Sequence, residues 1–129
     1  MRIKLISIFV DDQDKALRFY TDTLGFRKKQ DFPVGGARWI SVTSAEGPDD
    51  LELVLEPNGH PAASAYQSAL LKDGIPCTAF ESMAIHDEVR RLKAQGVVFT
   101  MEPTAAGTVT IAIFSDTCGN LIQIYQPVP

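Results

Sequence analysis

Between Val10 and Phe26 the chain reads VDDQDKALRFYTDTLGF. Apolar residues recur in it at three- and four-residue spacing and form one helical face: Ala16, Leu17, Tyr20 and Leu24. An aspartate before such a face is a helix-start signal, and Gly25 is suited to end the helix in the left-handed conformation. The preceding run Ile3–Val10 is rich in β-branched residues and predicts a strand. The stretch thus predicts a strand, a helix and the start of a second strand.

The remainder of the chain continues this order and then repeats it. Three strands are predicted after the first helix, over Phe26–Phe32, Arg38–Thr43 and Leu51–Leu55. A connector with its own helical stretch follows. The second half predicts a strand at Cys77–Phe80, a helix near Ala84–Gln95, and strands at Val97–Met101, Thr108–Phe114 and Leu121–Tyr125. Pro33 and Pro103 are expected in turns.

Two landmarks recur at one offset, which predicts an internal duplication. Gly25-Phe26 corresponds to Gly96-Val97, and Leu51-Glu52-Leu53 corresponds to Ile122-Gln123-Ile124, each shifted by 71 residues (25 to 96, 51 to 122). Self-similarity at a fixed offset is typical of repeated supersecondary units. The alternative is a generic α+β sandwich whose symmetry is accidental.

Composition excludes several classes of partner. The chain has 129 residues, which predicts one domain, and a formal net charge of -4. That charge disfavours nucleic acid and anionic membranes, because both are bound by clustered Lys and Arg. Its two cysteines have no metal-binding spacing, and no signal-like or membrane-spanning run is present. We therefore expect a cytoplasmic protein with reduced thiols.

Four motifs in order resemble the vicinal-oxygen-chelate superfamily, the glyoxalase/bleomycin-resistance/dioxygenase group. The first motif is Val10–Ala16, which contains a V-x-D pattern, and the second is Phe19-Tyr20 followed by Leu24-Gly25-Phe26. The third is Arg91–Val97, and the fourth is Asp116–Gln123, which contains a D-x-x-G-N turn. The resemblance covers nearly the whole chain.

The resemblance implies an α+β fold in which two βαβββ modules form a curled mixed sheet around a cleft. Residues 1–129 would form a single domain, with modules at about 1–57 and 76–129 and a connector at 58–75. Inward-facing residues of the first and last strand of each module would line the cleft.

In metal-using relatives four such positions carry ligands, and here the resemblance assigns them to Leu5, Glu52, Cys77 and Gln123. Leu5 has no donor atom, and neither histidine falls on a ligand position. A hard dication disfavours a thiolate, and zinc rarely uses a neutral amide. We therefore predict no metal ligands and no cofactor, with a divalent metal as the less favoured alternative.

Glu52 is the candidate catalytic residue. Alternation along LELVLE places Glu52 and Glu56 on one face of the strand and the leucines on the other. If that face lines the cleft, as the resemblance implies, desolvation would raise the carboxyl pKa and suit a general base. The alternative is an outward-facing carboxylate on a half-exposed sheet.

The other candidate ligand-binding residues each have a plainer interpretation. Gln123 would offer hydrogen bonds in the cleft, or be a solvated strand residue. Cys77 would be a reactive thiol, or a small buried hydrophobe. Trp39 and Phe32 would line an apolar pocket, or belong to the core. Cys118 is expected to be exposed in its turn.

Two functions remain open. One is a binding module of the drug-sequestering type, which holds a hydrophobic or planar small molecule without metal. The other is a glyoxalase-like lyase or isomerase with Glu52 as base, with or without a divalent metal. An extradiol dioxygenase is disfavoured, because the two-histidine, one-carboxylate ligand set is absent.

The resemblance also predicts a homodimer. Light scattering at micromolar concentration should give twice the chain mass of 14.1 kDa. A mass equal to one chain would contradict this prediction.

Overall fold

The computed structural model describes all residues, 1–129, and contains eight strands and three helices. In chain order they are β1 (Leu5–Val10), α1 (Gln13–Arg18), β2 (Arg27–Val34), β3 (Ala37–Thr43), β4 (Glu52–Pro57), α2 (Pro61–Lys72), β5 (Thr78–Glu81), α3 (Ile85–Ala94), β6 (Phe99–Ala106), β7 (Val109–Ser115) and β8 (Leu121–Pro127). A π-helical turn at Phe19–Thr23 extends α1. The eight predicted strands and the helices near 12–24 and 84–95 are confirmed. No helix has the length and apolar character needed to span a bilayer.

The chain divides into two compact units, Met1–Tyr66 and Gln67–Pro129, with the boundary inside α2. The sheet order is β1-β4-β3-β2 in the first unit and β5-β8-β7-β6 in the second. In each, the first and last strands in sequence pair in parallel and the other neighbours pair antiparallel. Each unit therefore has the predicted βαβββ order, in an open four-stranded sheet.

Helix caps form where the sequence predicts them. Asp12 caps α1, because its carboxylate accepts a hydrogen bond from the Lys15 backbone N–H at 3.0 Å. This bond also lowers the pKa of Asp12. Gly25 and Gly96, 71 residues apart, both adopt a left-handed backbone, with φ of +85° and +86°. The two positions are therefore structurally equivalent.

The helix-facing side of each sheet forms a core. In the first unit the buried residues of this side and of the helical segment include Ile8, Val10, Ala16, Tyr20, Ile40, Val42 and Leu55. In the second unit they include Ile85, Val89, Leu92, Phe114, Ile122 and Ile124. The opposite side of the first sheet is here called the open face. It carries the odd-numbered residues of β1 and β3, the even-numbered residues of β4, and the even-numbered residues of β2 from Gln30 onward.

The prediction that Pro33 and Pro103 lie in turns is wrong. Pro33 lies in β2 and pairs with Arg38, and Pro103 lies in β6 where the register shifts between Met101 and Thr104. β2 and β6 are edge strands. Proline is tolerated there because an edge strand does not need every N–H for the ladder.

The ladder between β3 and β4 is interrupted, and the side chain of Gln13 continues it. Only Ser41↔Val54 and Val42↔Leu53 pair directly. Beyond them, Gln13 Nε2 donates to the backbone oxygens of Arg38 (2.6 Å) and Leu55 (2.9 Å), and Gln13 Oε1 accepts from the Arg38 N–H at 3.1 Å. In the second unit, β7 and β8 instead pair without a break.

Arg38 fixes the β2–β3 hairpin to α1 from the helix-facing side. Its guanidinium donates to Asp31 on β2 at 3.0 and 2.7 Å and also contacts the carboxylate of Asp14 on α1. These carboxylates raise the pKa of Arg38 above its usual range, and Arg38 lowers that of Asp31. Arg38 therefore connects the β2–β3 hairpin to α1 at the same residue whose backbone Gln13 contacts.

Replacing Gln13 with Ala should lower the free energy of unfolding by about 1–3 kcal/mol, because three backbone groups lose a part-buried partner. Alanine suits a helix, so the loss should come from the missing amide. Urea unfolding measures the change.

Gln95→Ala is the matched control, because Gln95 lies exposed at the end of α3 and no hydrogen bond involves its side chain. It should change stability by less than about 0.5 kcal/mol. Equal effects of the two substitutions would contradict the bridging role of Gln13.

Candidate functional site

Glu52, the first residue of β4, is a buried carboxylate with three partners. Its exposed fraction is 2%. Glu52 Oε1 accepts hydrogen bonds from Ser41 Oγ at 2.6 Å and Gln30 Nε2 at 2.8 Å. Lys4 Nζ lies 3.3 Å from Oε2. Both carboxylate oxygens are therefore occupied.

These contacts lower the pKa of Glu52, which corrects the expectation of a raised value. The Ser41 hydrogen bond makes the largest contribution, and it acts with Gln30 and Lys4 against the effect of burial. A carboxylate stabilised in its charged form is a weak base. The geometry therefore favours a structural role for Glu52 over proton abstraction.

The polar partners of Glu52 were missed by sequence reasoning. Gln30 and Ser41 face each other across β2 and β3, and a bulge at Lys29 separates Gln30 from Lys28. The sequence did carry one signal for these partners, because Gln30 and Ser41 are polar residues within alternating strands that are otherwise partly apolar. The bulge could not be foreseen, and it determines which face Gln30 occupies.

Leu5 is the register partner of Glu52 on β1 and is 45% exposed. It contributes an aliphatic surface beside the buried carboxylate. A divalent metal does not fit these residues, because Leu5 offers no donor, both oxygens of Glu52 have partners, and Lys4 already supplies positive charge. No group of three or more His, Cys, Asp or Glu side chains is arranged to hold a metal ion.

In the second unit, Gln123 lies on β8 and its register partner on β5 is Ala79. Cys77, which the family alignment placed at this position, lies two residues earlier, just before β5. Its backbone N–H donates to Leu121 O at 3.0 Å. The strand register thus makes Ala79, rather than Cys77, the counterpart of Leu5.

The thiol of Cys77 is not activated. Burial, with the carboxylate of Asp116 as a second cause, raises the pKa of Cys77 to about 11. The thiol is therefore protonated at neutral pH, and the thiolate is the nucleophilic form.

The expectation that Cys118 is exposed is wrong, because its exposed fraction is 0%. Asp116 Oδ1 accepts from the backbone N–H groups of Cys118 (2.7 Å) and Asn120 (3.0 Å), which tightens the turn. Gln67 Nε2 donates to Cys118 O at 2.9 Å and covers the turn. The D-x-x-G-N motif is here a carboxylate-anchored turn with a buried second cysteine.

Phe32 and Trp39 form a stacked pair on the open face. They are register partners on β2 and β3, with ring centroids 6.4 Å apart and ring planes 19° apart. Phe32 is 45% exposed and Trp39 is partly exposed. Gln30 and Ser41 lie two residues along on the same strands, so the aromatic pair shares a face with the Glu52 network.

The histidines take no part in these networks. His60 precedes α2, and its Nδ1 accepts a hydrogen bond from the Ala62 N–H at 3.0 Å. His86 is exposed on α3. The expected convergence of Leu5 and Glu52 with Cys77 and Gln123 joins residues of different units and stays a prediction.

Comparison with known proteins identifies the family. A family model described as the Glyoxalase/Bleomycin resistance protein/Dioxygenase superfamily matches residues 2–124. The chain belongs to this superfamily. It is 56% identical over 126 residues to the uncharacterized protein YurT of Bacillus subtilis (strain 168), covering 98% of this chain and 99% of YurT.

Solved structures confirm the glyoxalase/bleomycin-resistance fold. The crystal structure of UcmS2 matches with a TM-score of 0.83 and 30% identity, covering 97% of both chains. TnmS3, described as an antibiotic binding protein from Streptomyces sp. CB03234, matches with a TM-score of 0.81 and 28% identity, covering 99% of this chain and 97% of TnmS3.

Glu52→Gln should lower the free energy of unfolding at neutral pH by about 1–3 kcal/mol, because hydrogen bonds to a charged group are lost. A carboxylate whose pKa is lowered by folding contributes stability above its unfolded pKa, and that contribution is lost as the pH falls through the folded value. The difference between wild type and variant should therefore shrink below about pH 4.5, the ordinary glutamate value. Urea unfolding at neutral and acid pH measures it, and a difference that grows on acidification would contradict the prediction.

Proposed function

We propose that this protein binds a planar, largely apolar small molecule against the Phe32–Trp39 pair, without a metal, as a cytoplasmic homodimer. The single observation that carries the proposal is the exposed stacked pair beside a hydrogen-bonding network on one sheet face. Binding sites for small molecules combine apolar and aromatic walls with a few fixed polar groups.

Further apolar groups on the open face support this. Leu5 and Val34 are 45% and 49% exposed, and both lie on the same side of the sheet as Phe32. Exposed apolar residues that share one face mark a binding surface more often than residues scattered singly. The likeness to TnmS3, described as an antibiotic binding protein, fits a ligand of this kind.

The donor set supports the proposal that binding needs no metal. The family's metal activates a substrate that chelates it through two adjacent oxygens. Here Glu52 would be the single carboxylate ligand, and Ser41, Gln30 and Lys4 occupy its oxygens. Holding a metal would require breaking that network.

The lyase alternative is less well supported by the same residues. It needs a carboxylate that accepts a proton, and the pKa of Glu52 is lowered. It would also need a free oxygen aimed at the substrate, whereas both oxygens have partners. Binding uses the aromatic pair and leaves the network intact.

Trp39 is the only tryptophan in the chain, so its fluorescence reports on the proposed site directly. Acridine, a planar and neutral molecule in mildly alkaline buffer, should quench it saturably. Phe32→Ala should weaken binding about tenfold, because a stacking surface is lost. Addition of EDTA should leave the affinity unchanged.

Tyr66→Ala is the matched control, since Tyr66 is an aromatic residue of α2 with 56% exposure. It should bind acridine as the wild type does. Equal weakening by both substitutions would contradict the proposed location, and loss of binding in EDTA would contradict metal independence.

A further inference from the structure

Glu56 is a second carboxylate on the open face. It lies on β4 two residues after Val54, and its register partner on β1 is Phe9. Val54 pairs with Ser41, and Trp39 lies two residues from Ser41 on the same face of β3, so Glu56 and Trp39 both lie just beyond the last direct pair of the two strands. Phe32 follows as the partner of Trp39. The half-buried carboxylate of Glu56 thus shares the open face with the aromatic residues Phe9, Trp39 and Phe32.

The charge of Glu56 is not compensated. It makes no hydrogen bond or ion pair, in contrast to Glu52, which has Lys4, Gln30 and Ser41. Arg38, the cation of the neighbouring strand, points to the helix-facing side and binds Asp14 and Asp31. Of the two carboxylates on this face, Glu56 is therefore the one available to a ligand.

The sheet is opened where Glu56 lies. Direct pairing of β3 with β4 ends at Ser41↔Val54, and beyond it the amide of Gln13 bridges Arg38 and Leu55. Trp39 and Glu56 therefore flank an interruption of the ladder instead of forming a hydrogen-bonded pair.

We infer that Glu56, flanked by Phe9 and Trp39, receives a cationic group of the ligand, an organic ammonium or a positively charged aromatic ring. Aromatic faces and a carboxylate both attract such a cation, and partial burial strengthens the attraction because solvent screening falls. This inference rests on the proposed function and specifies its ligand class.

A metal ion is a poor occupant of the same position. One carboxylate without further oxygen donors cannot replace the hydration shell of a divalent cation, which takes six or more oxygen ligands. A diffuse organic cation is more weakly hydrated and gains from the aromatic surfaces. One carboxylate with several aromatic rings around it therefore suits an organic cation better than a metal ion.

The test compares two probes of nearly equal shape, N-methylacridinium, which is permanently cationic, and acridine, which is neutral in mildly alkaline buffer. Saturable quenching of Trp39 gives both affinities. We expect the cation to bind the wild type about tenfold more tightly than the neutral probe. Glu56→Gln should remove this preference, so that the two probes bind the variant with similar affinity.

Glu46→Gln is the control, because it removes the same charge from an exposed turn of the same unit. It should keep the tenfold preference. Thermal unfolding of both variants checks that the fold is retained, and Glu56→Asp, which keeps the charge, should retain most of the preference if the fold is intact.

The outcomes separate the two proposals. Equal affinities of the probes for the wild type, or a preference that survives in Glu56→Gln, would overturn the inference about the cation while binding at Phe32–Trp39 stands. A preference lost equally in Glu46→Gln would also overturn it, because the effect would then be one of net charge. If neither probe binds the wild type, the proposed function is refuted together with the inference.

Discussion

The buried carboxylate of Glu52 has partners that span the whole first sheet. Ser41 contributes from β3, Gln30 from β2, and Lys4 from the residue directly before β1. A buried charge without partners would be strongly destabilising, so its burial requires all three contacts at once. The arrangement of the four strands, the bulge before Gln30 and the placement of Phe32 beside Gln30 are consistent with this one requirement.

Two glutamates of β4 lie on the same face and differ in their surroundings. Glu52 is compensated and buried, which makes it a fixed part of the sheet. Glu56 lies at the other end of the strand, where the ladder opens and no cation faces it. The resemblance assigns Glu52 to a position that carries a metal ligand in metal-using relatives, whereas here Ser41, Gln30 and Lys4 occupy its oxygens. Glu56, which we infer to receive the ligand's cationic group, lies four residues further along the strand.

The two modules share topology and differ in chemistry. By register, Ile111 and Tyr125 of the second unit occupy the positions of Ser41 and Val54 in the first. The uninterrupted β7–β8 ladder of the second unit also has no counterpart of the Gln13 bridge. A duplicated scaffold therefore keeps its strand order while the side chains that face away from the helix diverge. Fold and function are separable for this reason.

The sequence by itself determined the order of elements, the internal duplication and the family. These features depend on local periodicity, helix-start residues and glycines such as Gly25 and Gly96, all of which act over a few residues. It also placed Glu52 and Glu56 on one face by simple alternation. The tertiary structure decided the rest, because partners distant in sequence set the environment of each group. Ser41, Gln30 and Lys4 lower the pKa of Glu52. The Asp116 carboxylate accepts a hydrogen bond from the backbone of Cys118, whose side chain is buried. The strand register pairs Ala79 with Gln123. Edge positions in the sheets, unknown from local sequence, allowed Pro33 and Pro103 to lie within strands.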